Sequence, residues 1–255
     1  MALAREGADI VLLDRCADIK TVGYPLSSDA DLAESVALVE AEDRRCLARQ
    51  ADVRDPEQIQ AVVDEAVSEF GRIDILLANA GISAGLPIQI ATAQQWDDVV
   101  GTNLSGVFHS MRAVAPVMIK QRYGRIVATS SMMGRFATPS MAPYVASKWG
   151  VIGLVKCVAQ DLAAFGITVN AVAPGNIDTP MINNDWLPKQ IRPDLDRPTL
   201  ADVLPFLGAL HVQPDPVLPA SDVSAAIVFL VGPGATHMTG AVLDVSAGAS
   251  ARFTA

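Results

Sequence analysis

Short runs of β-branched and leucine residues alternate with longer stretches of helical periodicity along the whole chain, and this alternation limits the possible folds most narrowly. It is typical of repeated strand–helix–strand units around a parallel sheet that is buried on both faces. We therefore expect one open, doubly wound sheet with helices on both sides, a three-layer αβα fold. The six predicted strands span residues 9–14, 45–50, 74–79, 125–130, 168–174 and 241–245.

Capping patterns between these strands indicate where helices begin. An aspartate before a proline, a Thr-x-x-Gln capping box and Ser221 open three of them. The predicted helices span residues 55–70, 92–120, 143–165, 200–209 and 221–231.

Two connections are longer than is usual for this kind of fold. Residues 15–28 follow the first strand, and residues 176–220 are rich in proline and apolar side chains. Long connections at one end of a sheet are often lids or binding loops, although either segment could be a variable surface excursion. Asn183, Asn184 and Asp185 in the second segment either orient a ligand or cap the loop.

The chain opens with MALAREG, which is typical of a helix that ends at a glycine cap before a strand. A doubly wound fold that starts this way lacks its first strand and the turn after it. That turn normally carries the glycines that bind a pyrophosphate, and no G-x-G-x-x-G occurs in the sequence. We expect either a missing segment of about 20–30 residues or a chain that does not bind a dinucleotide.

Length and charge restrict the function further. A chain of 255 residues is within reach of a single domain, which we place at 1–255. Its net charge of −9 argues against binding nucleic acid or an anionic membrane surface. Three cysteines offer no disulfide framework and suit a reducing compartment, and the first residues lack the apolar stretch of a secretion signal. We expect a soluble, cytoplasmic protein with no metal site.

Tyr144 and Lys148 lie four residues apart on a predicted helix, so their side chains share one face. An ammonium close to a phenol favours the phenolate and lowers the pKa of the tyrosine, which suits a general acid or base. Ser131 lies thirteen residues earlier, at the carboxyl end of a predicted strand, where open α/β sheets bind ligands. Ser130 and Thr129 are alternatives for the same role.

Asn103 lies between Gly101 and Gly106 within the predicted helix 92–120. Asparagine and glycine are poor helix formers, so the three together indicate a kink or a polar role. A close crossing of two helices is the alternative.

Polar and small residues follow three of the predicted strands. Asp14 ends the first, Asp52-Val53 follow the second, and Asn79-Ala80-Gly81 end the third and let a ligand approach the backbone. In a nucleotide-binding βαβ unit, an acidic residue placed like Asp14 accepts hydrogen bonds from the adenosine ribose. Its charge would repel a 2′-phosphate, which predicts NAD rather than NADP. A solvated loop aspartate is the alternative.

Together these residues resemble the short-chain dehydrogenase/reductase family over essentially the whole chain, including Pro174-Gly175 with Thr179 and the closing MTGAVLDVSAG. The resemblance implies a Rossmann-type fold, with Tyr144 as general acid/base and Lys148 as its pKa partner and anchor for the nicotinamide ribose. It implies that Ser131 orients the substrate oxygen and that Asn103 holds a proton-relay water. In the implied NAD site, Asp52 and Val53 lie at the adenine, and the Ile177 backbone and Thr179 lie at the carboxamide. The whole implied site comprises Asp14, Asp52, Val53, Asn79, Ala80, Gly81, Tyr144, Lys148, Pro174, Gly175, Ile177 and Thr179.

The extended connection 15–28 also resembles the subgroup associated with mycofactocin, which includes carveol-type dehydrogenases. This resemblance implies a loop over tightly held NAD and an external redox carrier that reoxidises it. Apolar residues of the 176–220 lid then enclose a hydrophobic secondary alcohol or its ketone, and family members usually form homotetramers. The alternative is a catalytically silent member that acts as a subunit or a regulatory binding module. The apolar lid residues are Met181, Trp186, Leu187, Leu204, Phe206, Leu207 and Leu210.

Overall fold

The computed structural model describes residues 1–252, in which six strands pair in parallel. Each strand lies within one or two residues of its predicted bounds. The strands are β1 (Ile10–Asp14), β2 (Cys46–Gln50), β3 (Ile75–Ala78), β4 (Gly124–Thr129), β5 (Ile167–Pro174) and β6 (Val242–Val245).

The strands form two sheets, whereas the sequence predicted one. β1 pairs with β2, and β3, β4, β5 and β6 pair in that order. Within residues 1–252 no strand pairs with the second edge of β1 or of β3, so backbone hydrogen bonds do not join the sheets. The prediction of a parallel α/β fold is confirmed, and the prediction of a single sheet was wrong for this reason.

Nine α-helices of the described residues connect and cover the strands. They are α1 (Ala2–Arg5), α2 (Asp29–Glu40), α3 (Pro56–Phe70), α4 (Ala93–Val100), α5 (Gly106–Gln121), α6 (Ala142–Leu162), α7 (Trp186–Ile191), α8 (Leu200–Ala209) and α9 (Ala220–Val231). The first ends before Gly7, whose φ of 94° is the left-handed conformation that a glycine cap predicts.

The predicted caps are present at two helices and shifted at a third. The Asp55 side chain accepts hydrogen bonds from the first turn of α3, and Thr92 with Gln95 forms a capping box at α4. At α9, Pro219 occupies the N-cap position, so Ser221 lies inside the first turn. The prediction of Ser221 as a cap was wrong because the N-cap lies two residues earlier.

The predicted helix 92–120 is interrupted where its poor helix formers lie. A π-helical turn spans Gly101–Ser105 between α4 and α5 and contains Asn103. Such turns are frequent at functional sites, because the extra residue per turn redirects a side chain. The predicted irregularity is therefore confirmed.

The core lies on both faces of the larger sheet. All eight residues of β5 and the first five of β4 are buried, and α3, α5 and α6 contribute much of the apolar cluster around them. Because the strands are parallel, the residues that follow β3, β4 and β5 meet at one edge of this sheet. That edge carries the predicted catalytic residues.

Candidate active site

Ser131 and Tyr144 come together beyond the carboxyl end of β4. The Ser131 side chain hydrogen-bonds the Tyr144 phenol, and its oxygen also accepts a 3.1 Å hydrogen bond from the backbone N–H of Met133. Lys148 lies one turn further along α6, with its Nζ 5.6 Å from the centroid of the Tyr144 ring. The structure thus brings the three predicted residues to one place.

The alternative hydroxyls are engaged elsewhere. Ser130 is buried and donates a 2.9 Å hydrogen bond to the carbonyl oxygen of Lys148, within α6. The hydroxyl of Thr129 donates to the side-chain oxygen of Asn79, 2.9 Å away. Ser131 is therefore the hydroxyl of this strand end that contacts the phenol of Tyr144, and Ser130 has a structural role.

Lys148 is a buried cation with few partners. Its side chain is 3% exposed, and among the described residues its Nζ donates one hydrogen bond, of 2.8 Å, to the carbonyl oxygen of Thr129. Burial lowers the pKa of Lys148 to about 8. An ammonium has three donors, so two donors of Lys148 stay available for acceptors such as the hydroxyls of a sugar.

The pKa of Tyr144 is raised, whereas the sequence predicted that it would be lowered. Burial of the phenol raises it, and the hydrogen bond with Ser131 only partly offsets this effect. The ammonium of Lys148 is directed to the Thr129 carbonyl and makes no hydrogen bond with the phenol oxygen. In this state, desolvation outweighs the attraction of the neighbouring charge.

Asn103 holds the loop after β3 in place. Its side-chain oxygen accepts a 2.8 Å hydrogen bond from the N–H of Ile82, and its Nδ2 donates to the Ile82 carbonyl at 2.9 Å and to the hydroxyl of Ser147 at 3.2 Å. Asn103 is fully buried. The interpretation as a polar position is therefore supported, and its contacts fix the backbone beside Gly81.

Gly81 itself lies close to two of the site residues. A Cβ atom built there would be 3.4 Å from Asn103 Oδ1 and 3.5 Å from Lys148 Nζ. The preceding residues Asn79 and Ala80 are exposed although they follow a strand of the larger sheet. This strand end therefore leaves backbone accessible next to the buried ammonium.

Asp14 and Asp52 lie at the carboxyl ends of β1 and β2. The Asp14 side chain accepts a 2.8 Å hydrogen bond from the N–H of Cys16. Asp52 binds Arg54 at 2.7 Å and lies 3.8 Å from Arg15. Burial raises the pKa of Asp52, but hydrogen bonds from Arg54 and the two positive charges outweigh it, so the pKa is lowered overall.

The remaining predicted cofactor residues follow β2 and β5. Val53 is buried against Gly106, where a Cβ atom would lie 2.6 Å from Val53 Cγ2. Ile177 forms a bridge with Leu218, and the hydroxyl of Thr179 donates to the Ile177 carbonyl at 3.3 Å. Pro174 ends β5, and Gly175 follows it.

The base of the lid is fixed by a buried pair that the sequence analysis did not single out. Asn176 Nδ2 donates to the carbonyls of Leu207 and Pro216 at 3.1 Å each, and its backbone N–H donates to Nε2 of His211. His211 Nδ1 lies 2.6 Å from the carbonyl oxygen of Asp215, so Nδ1 carries the proton. These contacts give His211 a structural role.

The lid residues divide into several environments. Asn184 caps α7 by accepting from the N–H groups of Trp186 and Leu187, which favours the capping alternative. Leu204 lines a cavity of about 420 Å³. Leu207 is buried, whereas Phe206 is 47% exposed, so the prediction that Phe206 encloses a ligand is not supported in this conformation.

Tyr24 is a site residue that the sequence analysis missed. It lies in the connection 15–28, is 6% exposed, and its hydroxyl oxygen accepts a 2.9 Å hydrogen bond from the N–H of Ser83. Burial raises the pKa of Tyr24 to about 12. The available signal was an aromatic residue between Gly23 and Pro25.

A larger cavity, of about 750 Å³, lies on the other side of α6. It is lined by residues 86–89 and 137–140 together with four side chains of the first turns of α6, among them Trp149. None of Ser131, Tyr144, Lys148 and Asn103 lines it. It is therefore not the reaction site.

The chain belongs to the short chain dehydrogenase family, because the sequence model of that family matches residues 1–189. The predicted family and its Rossmann-type α/β fold are thereby confirmed. Within residues 1–252, no helix is long and apolar enough to cross a membrane. The same residues contain no group of three or more His, Cys, Asp or Glu side chains that could hold a metal ion.

More specifically, the chain is similar to carveol dehydrogenases. It is 38% identical over 249 residues to (−)-trans-carveol dehydrogenase of Rhodococcus erythropolis, covering 96% of this chain and 90% of the relative. It is 41% identical to the crystal structure of carveol dehydrogenase from Mycobacterium avium in complex with NAD, with a TM-score of 0.94 and coverage of 97% and 90%. Levodione reductase is 33% identical, with a TM-score of 0.85 and coverage of 98% and 91%.

Proposed function

We propose that the protein is an NAD-dependent oxidoreductase that interconverts a hydrophobic secondary alcohol and its ketone. The observation that carries this proposal is the placement of Ser131, Tyr144 and the buried ammonium of Lys148 at one end of the sheet. The similarity to a carveol dehydrogenase solved with NAD supports the cofactor and the class of substrate.

The residues present fit the two ends of an NAD molecule. Lys148 has donors available for the hydroxyls of the nicotinamide ribose, while Asp14 would accept from the adenosine ribose and disfavour a 2′-phosphate. Asp52 and Val53 would flank the adenine, and Thr179 with the Ile177 backbone would bind the carboxamide. Asn79-Ala80-Gly81 and Pro174-Gly175 would line the floor. The described residues supply no glycine-rich turn for the pyrophosphate.

The reaction needs one proton and one hydride to leave the alcohol. Bound NAD supplies a pyridinium ring that accepts the hydride. Tyr144, as phenolate, removes the hydroxyl proton, and Ser131 donates a hydrogen bond to the oxygen that develops charge. Because burial raises the pKa of Tyr144, the positive charge of Lys148 is needed to stabilise the phenolate, and Asn103 would hold a water that relays the proton.

The connection 15–28 is proposed to cover the bound cofactor. Its Ile19 packs in a buried cluster with Ile82, Ala84 and Val99, and Tyr144 packs against that cluster. A cover fixed in this way would slow NAD release, so we also propose that an external redox carrier of the mycofactocin type reoxidises the cofactor in place.

We further propose that the protein is a homotetramer. α4 and α5 flank the π-helical turn that contains Asn103, and α6 carries Tyr144. Each of these helices exposes one large apolar side chain: Trp96 on α4, Phe108 on α5 and Trp149 on α6. Exposed apolar groups of this kind mark interaction surfaces. Sedimentation equilibrium of the wild type, with Trp149→Glu as the dissociating variant, tests this assembly.

The experiment that tests the function is Tyr144→Phe. We expect turnover of carveol with NAD to fall by about 10²–10⁴, while the far-ultraviolet circular dichroism and the melting temperature stay unchanged. The conservative control is Tyr123→Phe, at a tyrosine that lies before β4 and away from the site. A silent binding module would show no turnover in the wild type and no functional change in the variant, and that result would refute the proposal.

A further inference from the structure

Gly23 and Tyr24 form the tip of the connection 15–28 and lie against Trp186 of the lid. A Cβ atom built on Gly23 would be between 2.0 and 2.4 Å from three atoms of the Trp186 indole. The next residue, Tyr24, packs its ring against the same indole, with centroids 6.1 Å apart and an interplanar angle of 51°. The indole therefore occupies a place that only glycine at position 23 leaves open.

The same tip is attached to the body of the protein on both sides of Gly23. The hydroxyl of Thr21 donates a 2.7 Å hydrogen bond to Asp98 of α4, and the hydroxyl of Tyr24 accepts from the N–H of Ser83. Asp98 is buried and is also paired with Arg54 at 2.8 Å. The tip is thus a fixed surface.

Trp186 lies in the lid, ten residues after the anchored Asn176. It is the first residue of α7, and the Asn184 side chain accepts a 2.9 Å hydrogen bond from its backbone N–H. Contact between Trp186 and the tip therefore joins this short helix to the body of the protein.

The tip also adjoins the reaction centre. Val22 and Leu26, on either side of it, pack against the cluster of Ile19, Ile82, Ala84 and Val99, and so does Tyr144. The surface that receives Trp186 is consequently next to the substrate end of the site. The connection 15–28, which is proposed to cover the cofactor, would therefore also border the alcohol.

We propose that Gly23 and Tyr24 form the seat on which Trp186 docks when the lid closes, and that the Tyr24–Trp186 pair limits the size of the alcohol. The docking depends only on the contacts described above. The effect on substrate size rests on the proposed function.

Fluorescence quenching tests the docking without any substrate. The chain has three tryptophans, so Trp96→Phe with Trp149→Phe leaves Trp186 as the single probe. Adding Gly23→Ala should raise the acrylamide quenching constant about twofold, because a methyl group cannot share closely packed space with the indole. Gly153→Ala is the matched control, since an added Cβ there meets nothing within 4 Å. Quenching that is unchanged by Gly23→Ala would overturn the docking.

Trypsin digestion is a second test that does not require Gly23→Ala to fold. Within residues 176–220, Lys189 provides the one bond that trypsin cuts, because Arg192 and Arg197 each precede a proline. Trp186→Ala should speed cleavage after Lys189 about tenfold by favouring local opening of the lid. Phe229→Ala, at a partly exposed aromatic residue of α9, is the control and should have no effect. Cleavage of Trp186→Ala at the wild-type rate would overturn the docking.

Kinetics with NAD and two alcohols test the effect on substrate size. Tyr24→Ala and Trp186→Ala should each raise kcat/KM for carveol relative to cyclohexanol about tenfold, because each enlarges the pocket. An unchanged ratio would overturn the size limit. A wild type without turnover would overturn the proposed function and the size limit with it, while quenching and proteolysis would still decide the docking.

Discussion

The buried ammonium of Lys148 makes the stability of the protein depend on alkaline pH in a defined direction. Its pKa is about 8 in the folded protein, against an ordinary value of 10.5. Between these two values the unfolded chain holds the proton and the folded protein has released it, so the free energy of unfolding rises with pH. This stabilisation of the folded protein is complete above about pH 10.5. It decreases as the pH falls below that value and is lost once the pH has fallen through about 8. At about 1.4 kcal/mol for each pH unit of this window, it amounts to about 3 kcal/mol.

Lys148→Met isolates this effect, because the variant keeps a side chain of similar length without the charge. We expect the wild type to gain about 2 kcal/mol relative to Lys148→Met between about pH 7 and about pH 9.5. Urea unfolding followed by circular dichroism, at one protein concentration, measures the difference. Alkaline titrations that do not depend on the charge of Lys148 cancel in the comparison. Lys156→Met, on the exposed face of the same helix, is the control. If the free energies of unfolding of the wild type and Lys148→Met changed in parallel with pH, that result would refute the reasoning.

Three further predictions concern neighbouring side chains. Ser131→Ala should lower turnover about 100-fold with little change in melting temperature. Ser130→Ala should instead cost about 0.5–1.5 kcal/mol of stability, because the Lys148 carbonyl loses its buried hydrogen bond from the Ser130 hydroxyl; equal kinetic losses in both variants would contradict this assignment. Asn103→Ala should cost about 2–3 kcal/mol in urea unfolding, because the N–H and C=O of Ile82 lose their partners, and a cost near zero would contradict it. Asp14→Ala should raise the NADP-to-NAD ratio of kcat/KM about tenfold by removing about 1.4 kcal/mol of charge repulsion; an unchanged ratio would contradict that role.

The elements with local signals could be predicted from the sequence. Strand positions follow from short apolar runs, and the caps at Asp55 and Thr92 act within a single turn, so neither depends on distant parts of the chain. The π-helical turn around Asn103 was foreseeable as an irregularity, because two glycines and an asparagine are costly in a helix.

Other features depend on contacts that are distant in sequence. Ser130 and Ser131 are chemically identical neighbours, and only the packing of α6 against β4 shows which hydroxyl faces Tyr144. The direction of the Tyr144 pKa is set by burial, which the spacing of Tyr144 and Lys148 does not reveal. The contact of Gly23 with Trp186 joins segments more than 160 positions apart, so no local pattern could indicate it.

The division into two sheets has a consequence for how the protein behaves in solution. β1 and β3 each have one side whose backbone N–H and C=O groups meet no neighbouring strand within residues 1–252. Such a side can take up an extended peptide from another molecule. Concentrated samples of this chain should therefore self-associate through β-strand addition, and a soluble peptide with alternating apolar residues should suppress it.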